Sequence, residues 1–82
     1  MMDVEKMFCD AITAEGLDRH DAIYQAIAKL YDYENYTGIE RMIDLALGTE
    51  HRGYVRTTFI AVKPIRGCVS EESYQRLLRF LE

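Results

Sequence analysis

Apolar residues recur every three or four positions along most of the chain, a spacing typical of helices that bury one face. Residues 3–15 form the first such segment, and a second begins at Asp18. Asp3 and Asp18 are suitable N-cap residues, and Gly16 suits the end of the first helix. The apolar stripe of the first segment is Val4, Met7, Phe8, Ala11 and Ile12, and that of the second is Ala22, Ile23, Ala26, Ile27, Leu30 and Tyr31.

Two further segments combine a helical stripe with a capping signal. Residues 37–40 match a capping box, in which Thr37 accepts a hydrogen bond from the third helical amide and Glu40 reaches back. This pattern predicts a third helix that starts at Thr37 and ends at Gly48. Near the C terminus, Ser70 is suited to cap a last helix. Its apolar stripe is Tyr74, Leu77, Leu78 and Leu81.

Residues 49–66 fit two secondary structures. Their β-branched and aromatic side chains favour a strand, whereas a helical period gathers the apolar side chains on one half of a wheel and misplaces only Ile60. A strand needs a partner, and the chain offers no second segment of that composition. A helix is therefore favoured, with Thr49 as N-cap and Pro64 as its end. The alternative is a strand over residues 54–63, paired with its copy across a two-fold axis.

The segments together predict an all-α fold, a compact bundle of four to five short helices in one domain over residues 1–82. The alternative is an α+β fold with the strand at 54–63. Residues 66–69 are expected to form a loop before the last helix. The expected core is Phe8, Ile12, Ile23, Ile27, Leu30, Ile43, Leu47, Val55, Phe59, Val62, Leu77 and Leu81.

Composition narrows the class of protein. Hydrophobic residues make up 49% of the chain and charged residues 29%, which is enough for a core and a soluble surface. No apolar run approaches the roughly 18 residues of a membrane span, and no signal peptide is recognisable at the start. Cys9 and Cys68 lack metal-site spacing and are expected to be reduced thiols, with a disulfide as the alternative. We therefore expect a cytoplasmic protein without a cofactor or a bound metal.

Charge is divided unevenly along the chain. Residues 1–51 hold eleven acidic and four basic residues, a charge of −7, whereas residues 52–82 hold three acidic and six basic residues, a charge of +3. Such asymmetry predicts a charged partner, or two copies that meet acidic face to basic face.

The connector at residues 31–36 alternates three tyrosines with acidic or amide residues, and exposed tyrosines are favoured at protein interfaces. The predicted partner-binding residues, suited to a basic protein, are Asp32, Tyr33, Glu34 and Tyr36. Alternatively, Tyr31 and Tyr36 pack on the helices that they flank, and only Tyr33 is free.

Residues 44–59 resemble a helix-turn-helix, with an apolar helix, a short polar turn and a second helix that has a basic outer face. The resemblance implies a nucleic-acid contact through the helix at 49–63. The residues that would meet phosphates or base edges are Arg52, Arg56 and Lys63. Asp44 occupies a position that is usually small in such motifs, and Tyr54 stands where an aliphatic residue is expected. The acidic half of the chain would also repel a duplex.

Nothing in the sequence indicates an enzyme. The glycines are isolated and form no phosphate-binding loop, and Ser70 and Ser73 have no base at a recognisable spacing. The sequence therefore predicts a small non-catalytic protein-interaction or regulatory module of the adaptor or inhibitor type. It would use the acidic-aromatic connector and a separate basic face, and self-association is a second expectation. The alternative is the nucleic-acid-binding protein that the helix-turn-helix resemblance implies.

Overall fold

The computed structural model describes residues 2–14, 19–49 and 51–82, without the side chains of residues 19 and 20. Within these ranges there is no strand. The all-α prediction is confirmed, and the alternative with a strand at 54–63 is wrong, because those residues are helical. The helices are α1 (Val4–Thr13), α2 (Arg19–Asp32), α3 (Tyr36–Gly48), α4 (Arg52–Val62) and α5 (Glu71–Leu81), and a 3-10 helix (Lys63–Cys68) joins α4 to α5.

In α4 the helical spacing of the apolar residues predicts the structure correctly, although the β-branched composition favours a strand. Its β-branched residues fit a helix because the hydroxyl groups of Thr57 and Thr58 donate hydrogen bonds to the carbonyl oxygens four residues earlier, at 2.9 and 2.8 Å. These bonds satisfy two hydroxyls that would otherwise be costly to bury. Ile60 projects into solvent with 56% of its surface exposed, as the wheel predicts. The completely buried residues of α4 are Val55, Thr58 and Val62.

The core is close to the predicted one, with differences at the helix edges. Eight of the twelve expected core residues are buried, namely Phe8, Ile23, Ile27, Leu30, Ile43, Val55, Val62 and Leu77. The prediction of full burial is wrong for Ile12, Leu47, Phe59 and Leu81, which are only partly buried against the core. Three of these four lie in the last two residues of a helix, where fewer neighbouring elements surround a side chain. Further buried core residues include Ile39, Met42, Ala46 and Tyr74.

The capping box predicted at Thr37 is wrong. Helix α3 begins earlier, and its N-cap is Asn35, whose Oδ1 accepts a hydrogen bond from the Gly38 amide at 2.9 Å. Glu40 does not reach back along its own helix. Its carboxylate instead accepts a hydrogen bond from the amide of Ser70 at 2.5 Å, and so ties α3 to the start of α5. A residue distant in sequence thus competes successfully for the carboxylate.

The other helix ends divide between confirmed and corrected predictions. Asp3 and Ser70 are N-caps, and their side chains accept bonds from amides three residues later at 3.1 Å each. Thr49 is not the N-cap of α4 but the C-cap of α3, and its hydroxyl donates to the Ala46 carbonyl at 2.7 Å. His51 takes the N-cap position of α4 without a side-chain hydrogen bond. The predictions at Gly16 and Asp18 lie outside the described residues.

Helix α4 ends where expected, but the residues after it do not form a loop. Pro64 lies in the first turn of the 3-10 helix, where its missing N–H and fixed φ do no harm. Ile65 interrupts this helix with φ −116° and ψ 28°. The loop predicted at 66–69 is wrong for residues 66–68, which continue the 3-10 helix to Cys68.

Candidate functional site

Helices α2 and α4 lie side by side and run in the same direction. Asp21, near the start of α2, lines the same groove as Gly53 and Arg56, near the start of α4. Asp32, at the end of α2, lines a groove with Pro64, which lies just beyond the end of α4. The two helices therefore form one continuous surface with an N-terminal end and a C-terminal end. We call this surface the α2/α4 face and define it by Asp21, Tyr24, Tyr31, Asp32, Arg56 and Ile60.

The α2/α4 face holds most of the large apolar side chains that are exposed in the described residues. Tyr24 and Tyr31 are spaced by seven positions on α2, beside the buried stripe, and Ile60 is on α4. The exposed fractions of Tyr24, Tyr31 and Ile60 are 47%, 41% and 56%. Tyr36 extends the patch, since its ring centroid lies 6.3 Å from that of Tyr31. Isolated exposed apolar residues are ordinary, whereas large contiguous apolar patches are common at binding surfaces.

Arg56 and Ile60 form a crest between two grooves. On one side they line the groove against α2, with a volume of about 330 Å³. On the other side they line a groove of about 610 Å³ that Arg52, Phe59 and Leu81 also border. Ile60 was recognisable in the sequence as the one apolar residue on the wrong side of its helix. Tyr24 gave no comparable signal, because its importance depends on α4 lying beside it.

The connector at residues 31–36, which carries the predicted acidic and aromatic partner-binding residues, contains a tight turn. Glu34 adopts a left-handed conformation with φ 55°. The amide of Asn35 donates to the carbonyl of Leu30 at 2.8 Å, and the amide of Glu34 donates to that of Tyr31 at 2.9 Å. This bonding is the Schellman pattern that ends a helix, with glutamate where glycine is usual. The turn joins the end of α2 to the Asn35 cap of α3 without a flexible link.

The four predicted connector residues are all exposed, but they are not one uniform patch. Tyr33 is 69% exposed, whereas Tyr36 is 39% exposed and lies against Tyr31. Loss of water around the Tyr36 hydroxyl, followed by the effects of Cys68 and Glu34, raises the pKa of this group above its usual value. Asp32 lines the groove of the α2/α4 face. Of the four connector residues, Asp32 therefore belongs to the α2/α4 face, and Tyr36 adjoins that face by lying against Tyr31.

The predicted basic residues lie along one stripe of α4 and its C-cap. Arg52, Arg56 and Lys63 are exposed, and none of them forms an ion pair within the described residues. Other arginines do have carboxylate partners: Arg41 with Glu5 at 2.6 Å, Arg76 with Asp44 at 2.8 Å, and Arg66 with Glu71. Asp44, which departs from the helix-turn-helix pattern, is thus exposed and paired with α5.

The described residues offer little support for other kinds of site. No group of three or more potential ligands among their histidine, cysteine and acidic side chains is placed to hold a metal ion. Cys9 and Cys68 are both free thiols, so the alternative of a disulfide between them is wrong. Within the same residues, no helix has both the length and the apolar character needed to cross a membrane. Comparison with protein-family models, curated proteins and solved structures finds no match to this chain.

Proposed function

We propose that this chain is a small non-catalytic protein-interaction module, of the adaptor or inhibitor type, which binds its partner through the α2/α4 face. The observation that carries the proposal is the continuous exposure of Tyr24, Tyr31 and Ile60 across two adjacent helices. These two aromatic rings and one aliphatic side chain leave apolar surface in contact with water. A partner that covered them would gain the free energy of removing them from water.

The rim of the face supports a protein as the ligand. Protein interfaces commonly combine an apolar centre, rich in tyrosine, with a polar rim. Here Asp21 and Arg56 border the centre at one end, and Asp32 borders it at the other. Asp32 and Glu34 together favour a partner that presents a basic group at that end. The free thiols of Cys9 and Cys68 fit a reducing compartment, and we propose the cytoplasm as the location.

Photo-crosslinking in the native host tests this proposal. A photoreactive phenylalanine analogue at position 24 should give a covalent adduct with a polypeptide, whereas the same analogue at Glu72, exposed on α5, should give none. Adding Ile60→Asp should abolish the adduct at position 24, because it places a charge in the apolar centre. Equal adducts at both positions, or an adduct with nucleic acid at position 24, would contradict the proposal.

Comparison of Tyr24→Ser with Tyr33→Ser separates the α2/α4 face from the connector. Both tyrosines are exposed, so neither change should unfold the chain. We expect Tyr24→Ser to reduce partner capture strongly and Tyr33→Ser to reduce it less, because Tyr33 is not a lining residue of the grooves in the α2/α4 face. The reverse order would assign binding to the acidic-aromatic connector that the sequence predicts as one of two binding surfaces, and not to the α2/α4 face.

Nucleic-acid binding is the second candidate function, favoured by the exposed basic stripe of Arg52, Arg56 and Lys63, which forms no ion pair among the residues that the structure describes. It ranks second because the carboxylate of Asp21 and the apolar side chain of Ile60 lie beside Arg56. Titration of labelled random-sequence duplex DNA, read by fluorescence anisotropy at low and high salt, decides the matter. Saturable binding that weakens steeply with salt and with Arg56→Ala would establish this function.

A further inference from the structure

We infer that the cavity beside the C-terminal ends of α2 and α4 receives an arginine side chain of the partner polypeptide. This inference rests on the proposed function, because the cavity lies within the α2/α4 face. The cavity has a volume of about 170 Å³, and Tyr24, Tyr31 and Asp32 line it together with apolar residues. It thus combines two aromatic rings and one carboxylate, the groups that attract a guanidinium ion.

The charge of the cavity lining is negative. Among the described residues that line it, Asp32 is the only charged one, and its carboxylate takes part in none of their ion pairs. The nearest basic residues along the chain are placed elsewhere: Lys29 lines the groove against α1, Lys63 is exposed outside the lining, and Arg66 is bonded to Glu71. The dipole of α2 adds negative partial charge at this end of the helix. A cation brought by a partner would therefore meet a carboxylate that the described residues leave without an ion pair.

The same chain already holds an arginine between a tyrosine and a carboxylate. The guanidinium carbon of Arg66 lies 4.3 Å from the centre of the Tyr74 ring, and its Nε donates a hydrogen bond to the Glu71 carboxylate at 3.3 Å. Glu71 and Tyr74 lie about one turn apart at the start of α5. Tyr31 and Asp32 supply the same two kinds of group at the cavity, where no arginine is among the described lining residues. The partner would supply that arginine.

The rest of the lining favours arginine over lysine. A guanidinium group is planar, stacks on aromatic rings, binds a carboxylate through two N–H groups and is more weakly hydrated than an ammonium group. The methylene stem of the side chain can cover apolar surface. Apolar surface comes from Ile27, Ala28, Ala61, Pro64 and Ile65. Ala28 lies between the two tyrosines on one face of α2, and its small side chain leaves room for the guanidinium group.

The turn that ends α2 holds this end of the cavity in place. The amide of Glu34 donates to the carbonyl of Tyr31 at 2.9 Å, which fixes the backbone on both sides of Asp32. The Tyr31 ring also lies against the Tyr36 ring, with 6.3 Å between the ring centroids. Groups that are ordered before binding lose less conformational freedom when a ligand arrives. The binding surface is therefore largely formed in the isolated chain.

Titration of isotope-labelled protein with N-acetylarginine amide, followed by two-dimensional NMR, tests the inference. We expect saturable shifts at the amides of Ala28, Asp32 and Ile65, with a dissociation constant of about 1–10 mM, as suits a single side chain. N-acetylcitrulline amide has a similar shape without the charge and should bind about tenfold more weakly or less. Equal binding of N-acetylcitrulline amide or N-acetylleucine amide would overturn the inference, because the charge would not matter. Tighter binding of N-acetyllysine amide, or no saturable shift up to about 100 mM arginine probe, would also overturn it.

Substitutions at exposed residues assign the contacts. Asp32→Asn should weaken binding of the arginine probe by about three- to fivefold, and Tyr31→Leu by about two- to fivefold. Ala28→Leu fills the cavity and should weaken binding by about tenfold or more. Asp21→Asn is the matched control, since it makes the same change on the same helix but lines the other groove, and it should leave the dissociation constant within about 1.5-fold. An Asp32→Asn variant that binds as tightly as the wild type would overturn the inference, and the NMR spectra verify that each variant folds.

Photo-crosslinking at position 24 separates this inference from the proposed function. If a polypeptide crosslinks there but the arginine probe does not bind, the proposed function stands and the inference fails. If the probe binds but no polypeptide crosslinks, the cavity takes a small guanidinium compound, and both a partner's arginine and the proposed function are excluded. When both succeed, Asp32→Asn should lower the yield of the adduct, whereas Asp10→Asn, exposed on α1, should not. An unchanged yield with Asp32→Asn would show that the partner does not place its arginine in the cavity.

Discussion

The Asn35 cap is the contact whose energetic effect can be worked out most fully. The side-chain oxygen of Asn35 accepts a hydrogen bond from the Gly38 amide, and the connector residues 31–34 lead directly into this cap. Replacing an asparagine N-cap by alanine typically lowers the free energy of unfolding by about 1 kcal/mol. Asn35→Ala should therefore lower the melting temperature by about 4–8 °C in a domain of this size.

Gly38 provides a second test of the cap. It lies so close to the Asn35 side chain that substitutions at the two positions should not have additive effects on stability. A Cβ atom at Gly38 would lie 2.7 Å from Nδ2 and 2.8 Å from Cγ of Asn35, so alanine there must displace the capping side chain. Gly38→Ala would add about 0.5–1 kcal/mol of helix propensity and lose the cap, for a net change near zero. In the Asn35→Ala background there is no cap to lose. The same substitution should then stabilise the protein by about 0.5–1 kcal/mol.

Urea titrations of the wild type, the two single variants and the double variant measure this coupling. We expect an interaction free energy of about 1 kcal/mol between positions 35 and 38. Additivity within about 0.3 kcal/mol would refute the reasoning, because it would mean that the two side chains do not compete for space. Thr37→Ala is the control and should change stability by less than about 0.5 kcal/mol. A larger loss there than at Asn35 would restore the capping box.

Three other measurements probe separate features of the fold. Glu34→Gly should raise the free energy of unfolding by about 0.5–1 kcal/mol in a urea titration, because glycine adopts the left-handed conformation at φ 55° without the steric cost of a side chain. A loss of stability would argue against that conformation. Phe59→Ala should lower the free energy of unfolding by about 1–3 kcal/mol, because Phe59 is only partly buried. The loss expected for the fully buried Ile43→Ala is larger, about 2–5 kcal/mol. The opposite order in thermal unfolding would show that Phe59 belongs to the core. The hydrogen bond from Arg66 holds the pKa of Glu71 below its usual value. This pair therefore stabilises the fold above the unfolded carboxyl pKa of about 4.3 and loses that effect as the pH falls through the lower folded pKa. Arg66→Met should flatten that part of the plot of stability against pH, and an unchanged plot would show that the pair contributes nothing.

The candidate surface was only partly predictable from the sequence. The basic stripe of Arg52, Arg56 and Lys63 is a consequence of helical periodicity, and the structure leaves all three exposed. The connector was recognisable by its composition, but the sequence did not indicate that Tyr31 and Tyr36 would lie against each other and remain exposed. Its Schellman turn was also hidden, because glutamate rarely occupies the left-handed position that glycine favours.

What the sequence by itself determined was the set of helices and the local signals within them. The spacing of apolar residues placed α4 correctly despite its β-branched composition, and it put Ile60 in solvent. The caps Asp3 and Ser70 were equally readable, because a capping side chain binds an amide only three residues away. These features depend on residues within one or two helical turns, whose relative positions are set as soon as the helix forms.

Only the tertiary structure decided which competing contacts form and which surfaces adjoin. Glu40 had a partner within its own helix available, yet it binds the amide of Ser70, thirty residues away, and the N-cap role passes to Asn35. The α2/α4 face likewise exists only because α4 lies parallel to α2 and places Ile60 beside Tyr24. Such pairings depend on how the buried faces pack together, which the period of any one helix does not specify.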